Sequence, residues 1–168
     1  MDNNKKIRQY FAIIIAIIAY YLIHEGAHLI CALIMNVFKQ INFLGLGIQI
    51  DVYNDLMSNT QMGIFCTVGA LATQIVGYIL FGIRKNICKS DSKTLKAVMY
   101  YVTIVMMLLD PLYLSALCNL FGGGDMNGIA LLIPINYAKV LFALLFVINV
   151  ILFKKYLLVD YSKTFIED

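Results

Sequence analysis

His24-Glu25-Gly26-Ala27-His28 spells H-E-x-x-H, and its two ends are the only histidines in the chain. On a helix, residues four apart share a face, so the two imidazoles can grip one metal ion. Glu25 then stands where it can take a proton from an attacking water. A histidine pair can also be satisfied inside a packed bundle without a metal. Against that, three ionisable groups lie together in a strongly apolar stretch, which is costly unless a cation offsets it.

A catalytic zinc site takes three protein ligands and keeps a fourth position open. His24 and His28 supply two, and two aspartates are candidates for the third. Asp125 follows Gly122-Gly123-Gly124 at the outer end of an apolar run, at the depth expected of the histidines. The glycines there also permit irregular backbone close to a ligand. Asp110 lies deeper, just before Pro111. Asp125 is the favoured ligand. Asp110 is the alternative ligand or a partner that orients one, or lines a water path to the metal, or else it sits protonated or bonded to a neighbouring hydroxyl such as that of Tyr113 or Ser115. Pro111 should free a carbonyl about four residues earlier, near Met107.

The elements that must position these groups are membrane spans. Of the 168 residues, 61% are hydrophobic and 14% charged. An ordinary soluble domain is about 45–50% apolar and about 25% charged. Four apolar runs reach the ~20 residues needed to cross a bilayer, at about residues 7–38, 62–83, 95–121 and 129–153, the last starting between about Ile129 and Ile135. One integral membrane domain covering residues 1–168 is expected, all-α and polytopic, with about four transmembrane helices. The first run carries the HExxH motif, so it reads as a retained span rather than a cleaved signal. Lys5, Lys6 and Arg8, then Arg84, Lys85, Lys89, Lys93 and Lys96, then Lys154 and Lys155 all fall on one side of four spans. The positive-inside rule makes that side, and both termini, cytoplasmic in a multi-pass protein of the cell membrane. The net charge of +3, clustered beside apolar runs, is a topology signal and not a nucleic-acid footprint. The four cysteines form no C-x-x-C pair and read as small hydrophobes.

Between the first two spans, Leu44, Leu46, Ile48, Ile50 and Val52 alternate with Gly45, Gly47, Gln49, Asp51 and Tyr53. A period of two marks a strand with one apolar face. A short β-hairpin or re-entrant strand tucked against the bundle is one reading, and an amphipathic surface loop is the other. A strand there, with Gly45 and Gly47 as contacts, could hold an unwound substrate segment by strand addition.

With HExxH in its first span and Gly-Gly-Asp after a later one, the chain resembles the site-2 protease family of intramembrane zinc metalloproteases. Gly69-Ala70-Leu71-Ala72-Thr73 is similar to that family's Gly-Pro-Leu-Ala-Asn stretch, so the resemblance runs from about residue 20 to 135. It implies one Zn²⁺ per chain held by His24, His28 and Asp125, with Glu25 as general base. It also implies membrane-embedded or membrane-associated protein substrates. Gly124-Asp125-Met126 stands where the family has Leu-Asp-Gly, and Ala70 and Thr73 replace its Pro and Asn. Zinc-dependent intramembrane proteolysis is the function expected. The alternatives are a catalytically silent membrane assembly factor and a membrane metal-binding or transport protein.

Overall fold

Helix α1 (Asn3–Ile34) is built around one stripe of small and polar residues. Ala12, Ala16, His24, His28 and Ala32 are buried, each a multiple of four residues from the next, while most of the isoleucines and leucines around them face outward. That i, i+4 row is the ridge along which helices pack, and its alanines let neighbouring backbones approach closely. The two histidines therefore face the bundle because they continue the alanine stripe. The computed structural model describes residues 3–44, 47–120 and 124–166.

The apolar run continues to Phe38, but the helix stops at Ile34. Asn36 takes the left-handed conformation (φ 56°). The amide of Val37 then bonds the carbonyl of Ala32 (3.0 Å) and the amide of Asn36 bonds that of Leu33 (3.2 Å). This pattern closes a helix and reverses the chain, and asparagine tolerates the required backbone. Strand β1 (Phe38–Leu44) and strand β2 (Gly47–Val52) follow as an antiparallel hairpin, with Ile41 opposite Ile50 and a bulge between Phe38 and Gln40. Of the two readings of this segment, the hairpin is the one found. On β2 the buried Ile50 and Val52 alternate with Gln49, which is exposed. Lys39 and Asp51 pair across the hairpin at 3.0 Å, and the carboxylate raises the lysine pKa. An exposed pair of this kind adds little stability.

Helix α2 (Asn59–Cys88) starts at a reciprocal cap: Ser58 accepts from the Gln61 amide and Gln61 accepts from the Ser58 amide. Such a cap is worth about 1 kcal/mol. Its buried stripe is Gly63, Cys66, Ala70, Thr73, Gln74 and Gly77, with Gly69 beside it. Helix α3 (Lys93–Leu112) runs through Pro111. Proline leaves the carbonyl of Met107 without its helical donor, and side chains replace that donor. Gln74 donates to the Met107 carbonyl at 3.2 Å and Asn149 donates at 2.6 Å. Asn149 also donates to the Gln74 amide oxygen and accepts from the Tyr78 hydroxyl. One polar knot thus ties three helices together at the proline.

After a π-helical turn (Tyr113–Leu117) and a 3-10 turn (Cys118–Leu120), the short helix α4 (Gly124–Ile129) packs on α2. Helix α5 (Ile135–Leu152) follows Pro134 and continues through a second π-helical turn (Phe153–Leu157) into α6 (Leu158–Ile166). The fourth helix therefore begins at Ile135, the later limit of the expected start, and extends well past Phe153. Lys154 and Lys155 mark where the apolar stretch ends, not where the helix ends. The continuation is anchored by the Arg84–Asp160 pair (2.8 Å) and the buried Tyr161. Among the described residues, four helices are long and apolar enough to cross a membrane, namely Asn3–Ile34, Asn59–Cys88, Lys93–Leu120 and Ile135–Thr164. Together with the one small hairpin, this is the all-α architecture of a multi-pass membrane protein.

Candidate active site

Helix α1 delivers His24 and His28 from its buried stripe, and Asp125 arrives from the first turn of α4. The Nε2 atoms of the histidines lie 3.2 Å apart. Asp125 Oδ2 lies 3.1 Å from His24 Nε2 and 3.4 Å from His28 Nε2. A tetrahedral ion with bonds of about 2.0–2.1 Å to such ligands separates them by about 3.3 Å. The three atoms thus form a triangle of the size a metal requires. Both histidines are buried and the Asp125 side chain is largely so.

Asp110 is not part of the triangle; it lies behind it. Its Oδ2 is 3.3 Å from His24 Nδ1, on the far side of the imidazole. The Tyr20 hydroxyl donates to Oδ1, and the Thr73 hydroxyl donates to Oδ2 at 2.5 Å. Both ring nitrogens of His24 face a carboxylate, Nδ1 that of Asp110 and Nε2 that of Asp125; with a metal at Nε2, Asp110 would hold the proton on Nδ1. Asp110 therefore both contacts His24, as a partner orienting it would, and is bonded to hydroxyls, those of Tyr20 and Thr73 rather than of Tyr113 or Ser115. Ser115 is occupied elsewhere, donating to the Pro111 carbonyl at 2.6 Å. The Tyr113 hydroxyl lies toward Gly124, which has φ +39°. His28 is fixed by packing instead. Its ring meets Phe65 at 4.8 Å and His24 at 4.9 Å between centroids, and its Nδ1 has no hydrogen-bond partner among the described residues.

Glu25 is one residue round the helix from the stripe, so it points beside the triangle. Its Oε2 accepts the amide of Ile50 on β2 at 3.3 Å. His24, Glu25, His28 and Asp125 all line a cavity of ≈ 780 Å³, whose wall includes Ile48 to Val52, Phe65, Tyr113 and Leu131. Gly47 stands at the turn end of β2, opposite Leu44, and is not in that wall. The cavity-facing part of the strand is Ile48–Val52. Gly45 lies outside the described residues.

Three further residues contribute; Gly69 and Thr73 belong to the stretch that carried the resemblance, though with no role assigned to them, and Tyr20 was not anticipated from the sequence. Tyr20 and Thr73 hold Asp110, and Gly69 brings the α2 backbone against the histidines. A Cβ at Gly69 would sit 2.5 Å from His28 Nε2 and 2.6 Å from His24 Nε2. Tyr20 was findable, since it lies one turn before His24 on the same stripe. Asp110→Asn is expected to keep the fold but lower metal affinity by about 10–100-fold, measured by competition with a chelating dye.

A comparison with protein-family models, with curated proteins and with solved structures returns no match.

Proposed function

We propose that the chain is a zinc-dependent intramembrane protease resembling the site-2 protease family, cleaving peptide bonds of membrane-embedded or membrane-associated proteins. The observation that carries this reading is the ligand triangle of His24, His28 and Asp125 with Glu25 beside it, all facing one cavity. Two imidazoles and one carboxylate are the ligand set of a hydrolytic zinc site with one position left open. Bound there, Zn²⁺ supplies Lewis acidity that activates a water and polarises a scissile carbonyl. Asp110 holds the proton on His24 Nδ1 and so keeps Nε2 available as a ligand. Glu25 receives the water's proton and returns one to the leaving amine. Its bond to the Ile50 amide holds the carboxylate at the cavity that Glu25 lines. By charge distribution, both termini are cytoplasmic and the site opens toward the opposite half of the membrane.

A transmembrane helix hides its peptide bonds, so a substrate must be unwound before it is cut. Strand β2 offers an edge for this. The Ile50 amide points away from β1, since it bonds Glu25, and by alternation the Ile48 amide points the same way. A substrate segment can pair with that edge and lay its carbonyl beside Glu25. Ile48→Pro removes one outward donor and spares the β1–β2 ladder. It should lower cleavage by about 5–10-fold, the worth of one hydrogen bond, with zinc content unchanged.

The reading is tested with purified protein in proteoliposomes carrying a single-span substrate. Cleavage should occur, stop with a zinc chelator and return when Zn²⁺ is restored. Cleavage that persists after the metal has been stripped would refute a zinc mechanism.

A further inference from the structure

A second cavity, ≈ 350 Å³, lies at the other end of the bundle. Arg8 is one of its walls, and from Arg8 to His24 is about 24 Å along α1, so it is no part of the catalytic cavity. Lys5, Arg8 and Gln9 of α1, Tyr100 and Tyr101 of α3, and Ser162 of α6 supply its polar groups. Among the described residues, neither Lys5 nor Arg8 has an acidic partner. Helices α1 and α3 carry no acidic residue in their first turns, and Asp160 of α6 is held by Arg84 at 2.8 Å. Two cations and several hydroxyls therefore converge on a space that no acidic residue lines among the described residues.

We propose that this cavity binds the phosphate of an anionic phospholipid. The cations are at the basic end of the bundle, where headgroups lie, and basic pockets between spans on that side suit anionic lipids. Arginine matches phosphate oxygens in its fork geometry, and lysine adds a point charge. The route for the acyl chains is also present. Ile7, Tyr10 and Phe11, beside Arg8 on α1, are all strongly exposed. A free phosphate ion would leave that apolar strip unused, whereas a diacyl lipid covers it.

The test is native mass spectrometry of the full chain after equilibration in phosphatidylcholine nanodiscs containing phosphatidylglycerol. One phosphatidylglycerol should remain bound. The Lys5→Gln/Arg8→Gln pair should weaken its retention by about 25-fold, from roughly fivefold per cation. Lys154→Gln/Lys155→Gln, exposed and outside the cavity on the same side, should retain the lipid as the wild type does. Equal retention by the Lys5/Arg8 variant, or an equal loss in the Lys154/Lys155 control, would overturn the site. Displacement of the lipid by an equal concentration of inorganic phosphate would overturn its assignment to a lipid.

Discussion

Glu25→Gln is expected to lower peptide-bond hydrolysis by about 10²–10⁴-fold while zinc content stays at the wild-type level. Glutamine has the shape of glutamate and keeps an oxygen to accept the Ile50 amide, so the wall formed by β2 should hold. The substituted side chain is outside the ligand triangle, whose members are His24, His28 and Asp125. What it loses is the ability to take a proton from water and return it. Rate and metal content measured on one preparation separate three functions. A protease loses the rate alone. A metal carrier would change chiefly in transport or affinity. A silent assembly factor would show no hydrolysis to lose.

Gly69→Ala should be nearly as damaging by a different route. The added methyl would lie within 2.6 Å of the Nε2 atoms of both His24 and His28, inside van der Waals contact and against atoms that cannot retreat. His24 is held by Asp110 from behind and His28 by Phe65. The helices must separate or the imidazoles must turn. Overpacking of this kind costs about 1–3 kcal/mol, and zinc affinity should fall by about 100-fold, the upper end for changes around a metal's ligands. Gly82→Ala is the control, because nothing lies near its Cβ position. It should keep wild-type zinc and activity. Similar zinc affinities in the two variants would mean that the close approach of α2 does not shape the site.

The histidine stripe was legible in the sequence because one helical period governs it, and Ala12, Ala16, His24, His28 and Ala32 obey that period together. The number of spans was legible too, since burial in lipid demands long apolar runs and four are present. Boundaries were less so. Phe38 is apolar whether it ends a helix or starts a strand, and only the left-handed Asn36 decides between them. Strand β1 alternates poorly and its apolar start merges with the helix, so the hairpin was visible only in β2. The fourth helix outran its apolar segment because Arg84 and Tyr161 hold its polar end, and those contacts lie far apart in sequence. Depth brought Asp125 to the histidines. The roles of Tyr20, Thr73 and Gly69 rest on contacts between helices, which no single-helix periodicity encodes.

The most direct test of a metal site is zinc per chain, by plasma mass spectrometry, in the purified wild type and in Asp125→Ala. One zinc in the wild type and almost none in the variant is the expected result. A wild-type protein without zinc, or an Asp125→Ala variant that keeps it at the wild-type level, would contradict the site.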